Sequence, residues 1–297
     1  MPEQSELRHF LQSRRARLTP ADVGLPWHDG RRVAGLRREE LASLAGVSVD
    51  YYTRLEQGRA RNVSDQVLTA VADALQLHDL ERRHLFDLVR AAAPKRPGGQ
   101  TPGSVPTPLV RARPALHALI QTLDPMPAML YGPRLEVLGG NRMSRILFDD
   151  FSAMPVAERN LARWMFLNPR AREVYVDWED IARQMVSVLH FTAGRDAGDP
   201  ALAALVDGLR ARSELFARYW SDYAVFQHTY GLKRFHHSAV GMVTLHYETL
   251  HPPADHDIYL TVYTAPAGSP SEEKLRLLSS WATSGATPHE HEKRGTR

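Results

Sequence analysis

Apolar residues recur at helical spacing through the first third of the chain: Leu7, Phe10 and Leu11; Leu41, Leu44 and Ala45; Val67, Val71 and Leu75; Leu85, Leu88 and Val89. Steps of three and four residues put such positions on one face of a helix. The pattern therefore predicts an all-α bundle of five short helices, at residues 6–15, 38–45, 48–57, 64–75 and 79–90. Ser64 with Asp65, and Asp79 with Glu81, read as helix starts, because a capping oxygen and first-turn acid suit the free N–H groups there. The pattern stops at residues 93–108, where five prolines and three glycines suit neither helix nor strand interiors. That stretch reads as an extended linker.

Beyond it both periods occur. Helices are expected at residues 110–123, 141–148, 157–166, 170–193, 200–210 and 213–220, and strands at 128–131, 136–139, 234–237, 242–249 and 258–264. Val243, Leu245 and Tyr247 alternate with Thr244, His246 and Glu248, the pattern of a half-buried strand. Strands with helices grouped between them indicate an α+β domain with an antiparallel sheet. The expected organisation is thus a helical domain at 1–92, a linker at 93–108, an α+β domain at 109–282 and a polar, disordered tail at 283–297.

Composition narrows the function. There is no cysteine, which excludes disulfides, thiolate metal sites and cysteine nucleophiles. The first ten residues are polar and no apolar run reaches bilayer length, so a cytoplasmic protein without a membrane partner is expected. Basic excess is confined to residues 1–96, with 16 Lys and Arg against 13 Asp and Glu, while the remainder balances at 21 of each. A polyanion would be met at that end. The chain lacks Gly-x-Ser-x-Gly, a phosphate-binding loop and a dinucleotide fingerprint, so no enzyme and no cofactor are expected. The histidines between 228 and 256 match no metal-ligand spacing, and no metal is assigned.

Residues 37–58 carry the chemistry. Gly46 can take the positive φ that closes one helix, and Ser48 can cap the next. On that second helix Tyr52 and Leu55 point inward, while Asp50, Thr53 and Gln57 point outward, flanked by Val49 and Arg54. Short, polar and cationic groups on the first turns suit the major groove of double-stranded DNA. Arg37 and Arg38 sit where the preceding helix would cross the backbone, and Arg59 and Arg61 follow as phosphate contacts. The DNA-binding set is therefore Arg37, Arg38, Ser48, Val49, Asp50, Thr53, Arg54, Gln57, Arg59 and Arg61.

This segment resembles the Cro/repressor-type (XRE) helix-turn-helix in its Glu-Leu-Ala, Gly-Val-Ser and Arg-Leu-Glu-Gln-Gly elements. Gly35 to Ala42 followed by Ser48 to Arg59 is similar to the MmyB-like regulators of actinobacteria. The likeness continues through Asn141, Arg159 to Arg163, Phe166 to Arg172, Tyr175, Asp177-Trp178-Glu179, Phe216, Trp220 and Gly241. It implies a PAS-like ligand-binding domain, a curved antiparallel sheet with helices over one face, and a pocket for an apolar small molecule such as a fatty acid. Two departures, His237-Ser238 in place of His-Pro and Tyr223-Ala224-Val225 in place of His-Asp-Val, keep the ligand from being carried over. On the residues alone, Trp164, Phe166, Trp178, Met185, Phe216, Trp220 and Phe226 could line an apolar cavity or form a plain core. Arg163, Arg172, Arg183 and Arg234 are the candidates for holding a carboxylate.

Together these features point to a sequence-specific transcription regulator, binding DNA as a homodimer and sensing an apolar small molecule. The rival is a DNA-tethered scaffold that recruits a protein partner and binds no small molecule.

Overall fold

A computed structural model describes residues 2–26, 33–60, 62–92, 110–195, 198–222 and 230–284. The expected linker at 93–108 lies outside the described residues, as does the tail from residue 285 onward. The chain forms two compact units, one of residues 1–107, 186–210 and 216–227 and one of residues 108–185, 211–215 and 228–297. No helix among the described residues is long and apolar enough to cross a membrane.

In the first unit the five N-terminal helices stand where the apolar spacing placed them: α1 (Pro2–Arg17), α2 (Arg38–Leu44), α3 (Val49–Glu56), α4 (Asp65–Ala74) and α5 (Asp79–Ala92). Leu7, Phe10, Leu11, Leu41, Tyr52, Leu55, Val71, Leu85 and Leu88 are buried together and form their common core. The Ser64 hydroxyl accepts the Val67 N–H at 3.3 Å, as its position at a helix start requires. Two buried side-chain contacts join α1 to α5, one an ion pair and one between rings. Arg14 pairs with Glu81 at 3.1 Å, and the Phe10 ring meets the edge of His84 with centroids 5.1 Å apart.

The same unit takes in the second half of α10 (Trp178–Arg195), nearly all of α11 (Pro200–Arg212) and most of α12 (Glu214–Ser221). Phe191 packs against the N-terminal core, with its ring 6.1 Å from that of His84. Gly194 is a close-approach position, because a Cβ there would fall 2.3 Å from His84 Cε1. His190 stacks on Trp220 at 3.8 Å and lies 3.9 Å from Glu6.

The second unit is built on five strands, β1 (Ala128–Tyr131), β2 (Val137–Gly140), β3 (Tyr230–His237), β4 (Gly241–Leu250) and β5 (Tyr259–Thr264). They run antiparallel throughout in the order β2-β1-β5-β4-β3. This is the antiparallel, PAS-like sheet with helices that the resemblance implied. Alternation along the strands divides it into two faces. Ala128, Leu130 and Leu260 pack with Leu116 and Ile120 of α6 (Pro114–Thr122). The opposite face carries Tyr131, Thr261, Tyr263, Tyr247, Lys233 and Phe235, where Phe148 meets Phe235 and Tyr263 at 5.3 and 5.1 Å. Lys233 is 3% exposed, with Nζ 4.4 Å from the centre of the Tyr247 ring, and burial lowers its pKa to about 7.

Three expectations are corrected here. The single helix at 170–193 is two, α9 (Arg170–Val174) and α10, because Tyr175 forms a bridge to Phe235 and the Val176 N–H donates to Arg234 O at 3.1 Å. The chain leaves the helix there to pair with the edge of β3. The helix at 157–166 begins only at α8 (Leu161–Leu167), where buried Asn160 accepts from the Ala162 and Arg163 N–H groups and donates to Arg134 O. Lastly, α13 (Pro270–Ser284) occupies a stretch for which no element was expected and runs into the first residues of the expected tail. The remaining helix, α7 (Arg142–Leu147), starts at buried Asn141, which accepts the Ser144 N–H at 3.0 Å and the Ala128 N–H at 3.1 Å.

His84 gives this fold a pH dependence. Burial first, then His190 and Arg14, lower its pKa from 6.5 to about 3. The unfolded chain therefore binds more protons than the folded one between those values, so stability is full above pH 6.5 and falls as the pH drops toward 3. Urea midpoints measured from pH 7.5 to 4.5 should decline accordingly. His84→Leu should make the decline shallower, with His190, whose pKa burial also lowers, sustaining the rest, and replacing the exposed His9 by Leu should leave most of it intact.

Candidate functional site

The site is best built from α3. Starting at Tyr52, steps of three and four residues reach Leu55 and Glu56, and all three are buried. The other face is open. Val49 is 43% exposed, Asp50 and Arg54 are exposed, and Thr53 and Gln57 are half-buried. Before α3, Gly46 at φ +66° lets the Val47 N–H return to Ala42 O at 3.0 Å, closing α2. A Cβ there would meet nothing within 4 Å, so the backbone angle alone calls for glycine. The Ser48 hydroxyl then accepts the Tyr51 N–H at 3.1 Å and starts α3. Exposed Ser48 thus presents a hydroxyl already committed to its own helix.

The outward groups have light attachments. Thr53 Oγ1 donates to Val49 O at 2.7 Å, which leaves its lone pairs and methyl group facing outward. Arg54 pairs with Asp50 at 3.1 Å across one turn, with side chains 55% and 80% exposed. An exposed pair of this kind contributes roughly 0.3–0.5 kcal/mol, so a phosphate or base edge can displace it. Arg37 and Arg59 are exposed. Arg61 lies outside the described residues.

What holds this face in place is Glu56, which is not in the expected DNA-binding set. The Glu56 carboxylate has no exposure and gathers donors from two other helices. Arg15 Nε reaches Oε2 at 3.2 Å, Arg38 Nε and Nη2 reach Oε1 at 2.9 and 2.7 Å, and Gln12 Nε2 reaches Oε1 at 3.3 Å. Arg15 also donates to Leu36 O at 2.6 Å, which ties in the segment before α2. Burial, and then the charge of Glu56, push the Tyr52 phenol well above its usual pKa. Arg38 was expected at the DNA backbone, and its side chain is 40% exposed. Any phosphate would share it with Glu56. The signal was present in the helical period, since Glu56 lies four residues beyond Tyr52, on the inward side.

In the second unit a cavity of about 490 Å³ is lined by Met154, Ala157, Trp164, Leu167 and Pro169, with Glu158, Arg163, Asn168 and Arg212 as its polar groups. Of the expected ligand residues, Trp164 lines it. The others among the described residues are spread elsewhere. Phe166 meets Trp178 edge-on at 5.9 Å, and Trp178 Nε1 donates to Met165 O at 3.2 Å. Met185 is buried, and Phe216 stacks on Trp220 at 5.7 Å in the first unit. Phe226 lies outside the described residues. Of the expected carboxylate holders, Arg234 is paired with Asp177, Arg183 with Glu179 at 3.1 Å, and Arg172 lies 4.0 Å over Trp178. Arg163 is the one that lines the cavity. Arg212 was not among the candidates; it lies beyond residue 210, where the expected helix ended, and α11 continues through it.

Two family models match the chain. Residues 112–278 match the MmyB-like transcription regulator ligand binding domain, and residues 6–85 match a helix-turn-helix domain. No curated protein matches it.

Loss of the Glu56 carboxylate should loosen α1, α2 and α3 together. Removing one partner of a buried ion pair costs roughly 3–5 kcal/mol, and the partial exposure of Arg38 puts this site at the lower end. Glu56→Ala should therefore lower the urea stability of the helical signal by about 3 kcal/mol, with Arg38→Ala costing less. A change below about 1 kcal/mol for Glu56→Ala would remove Glu56 from this structural role.

Proposed function

Because the chain belongs to the MmyB-like transcription regulators, with a helix-turn-helix domain ahead of the ligand-binding domain, we propose that it reads a specific DNA sequence through α3 and senses an apolar small molecule. The observation that carries the reading is the division of α3. Its inner face is anchored on Tyr52, Leu55 and Glu56, and its outer face offers Val49, Asp50, Thr53, Arg54 and Gln57. Such a face fits the major groove, where Arg54 can reach guanine or phosphate and Val49 and the Thr53 methyl can pack on thymine. Asp50 can accept from a cytosine amino group. Arg37, Arg38 and Arg59, with Ser48 at the helix start, flank that face and would meet phosphates.

The protein acts as a homodimer in the cytoplasm, each copy holding one half-site, with half-site centres about 34–36 Å apart. Its small molecule, a fatty acid or a compound like it, enters the cavity beside Trp164 and needs no cofactor. Such a ligand changes DNA binding only if it prefers one of two arrangements of the protein. In support, the cavity falls within the usual volume range of small-molecule sites and is walled by Met154, Trp164, Leu167 and Pro169.

Substitutions on α3 test the reading. Thr53→Ala and Arg54→Ala should each weaken binding to the preferred site by about 1–3 kcal/mol and relax the preference at one base position. Arg59→Ala should weaken preferred and random DNA alike and reduce the salt slope by roughly 1. Fluorescence anisotropy with labelled duplexes across a salt series measures both. Unchanged curves for all three variants would remove α3 from the DNA.

A further inference from the structure

Helix α1 is packed on two opposite sides. At about 100° per residue, Glu6, Phe10 and Arg14 fall on one side of it, and Gln12 and Arg15 on the other. The second side holds α3, because Gln12 and Arg15 donate to the buried carboxylate of Glu56, the last residue of that helix. The first side meets α5 and α10. Phe10 lies against His84, Arg14 pairs with Glu81, and Glu6 reaches His190 of α10. Leu7 and Leu11 are buried as well, so α1 is gripped along its length.

The end of α10 is keyed into this seam. His84 has no exposure, and the rings of Phe10 and Phe191 lie beside it. A Cβ at Gly194 would overlap the His84 imidazole, so α10 approaches α5 as closely as bare backbone allows. His190 stacks on Trp220, with Nε2 3.0 Å from Trp220 O, which holds α12 to the same turn of α10. All of these residues lie in the first unit, yet His190, Phe191, Gly194 and Trp220 come from the sequence of the ligand-binding domain. Helix α10 itself starts at Trp178 in the second unit and ends in the first, so one helix is common to both.

We propose that α1 is the lever through which the ligand-binding domain sets the DNA-binding face. Displacement of α10 at His190, Phe191 and Gly194 moves α1, and α1 moves the Glu56 clamp that fixes α3. The proposal rests on the reading that α3 binds DNA, and it adds the route by which that binding is controlled. A close-packed interior passes a displacement on instead of absorbing it. The ion pairs on the two sides of α1, Arg14 with Glu81 and Arg15 with Glu56, resist slipping on either side, because separating them would strand a buried charge. Motion of α10 is therefore delivered to α3 through α1.

The test uses the full chain and two labelled duplexes, one enriched from a random pool by the unaltered chain and one of random sequence. Gly194→Ala puts a methyl group against His84 and should weaken binding to the enriched duplex roughly fivefold or more. Random DNA, held through its phosphates, should be bound as before. Gly198→Ala, where a Cβ meets nothing within 4 Å, should change neither. In a His84→Ala background, which removes the obstacle, Gly194→Ala should cost less than about twofold. It should cost as little in an Arg15→Gln background, where α1 has lost its ion pair with Glu56. Phe191→Ala withdraws a ring from the seam instead of adding a methyl group, and should give the same loss even where Gly194→Ala does not fold. Unweakened binding by both seam variants, with their helical signal intact, would overturn the lever and leave α3 on the DNA. Equal losses with and without Arg15 would overturn it too, by placing the route outside α1. If the unaltered chain enriched no duplex, the α3 reading would fall and this proposal with it.

Discussion

The carboxylate of Glu56 is a charge with no exposure at the meeting point of three helices, and it is tolerable there only because donors surround it. Arg15, Arg38 and Gln12 supply them from α1 and α2. A buried ion is costly unless paired, so the arrangement penalises any shift of α3 relative to α1 or α2. Apolar packing of Tyr52 and Leu55 would hold α3 in the core but would set its rotation less sharply, since apolar contacts are not directional. With Glu56 tied down, the outward positions of α3 are set too. The exposed face is thus a consequence of what the inner face must satisfy.

The second unit follows the same logic with neutral polar groups. Asn141 and Asn160 are buried at the starts of α7 and α8, and each side chain both accepts from its helix and donates to a distant carbonyl, that of Met126 and that of Arg134 respectively. Each asparagine therefore fixes a helix start to the strand segment beside it. Tyr175 and Val176 do similar work at the sheet edge, where their backbone occupies β3. This fixes α9 and α10 as separate helices, with α8 and Arg163 ahead of them in the chain.

Much of this was legible in the sequence because the physics is local. The helical period of Leu7, Phe10 and Leu11, and of Leu85 and Leu88, and the alternation of Val243, Leu245 and Tyr247 each report a face that must be buried, and each is buried. Gly46 and Ser48 are equally local, one a backbone angle and the other a cap. What escaped was set by partners distant in the chain. Nothing near Tyr175 announces a bridge to Phe235, sixty residues on. The four donated bonds to Glu56 come from residues 18 to 44 positions away. The cavity is the extreme case, since aromatic and methionine residues cannot show by type whether they line space or fill it. Trp164 and Phe216 look alike in sequence, yet one lines the cavity and the other stacks on Trp220. For α13 the signal was there, in Ser269-Pro270-Ser271-Glu272, a capping box with proline at the first helical position. The Ser269 hydroxyl accepts the Glu272 N–H at 3.2 Å, and the Glu272 carboxylate accepts the Gly268 N–H at 2.7 Å.

If the outward face of α3 reads bases, selection of binding sites from random duplex DNA will show it. The full chain should enrich one sequence with two related half-sites. Replacing Val49, Thr53 or Arg54 should change which bases are enriched at defined positions of each half-site, with the spacing kept. Enrichment of no sequence, or of the same sequence by all three variants, would mean that α3 does not read bases.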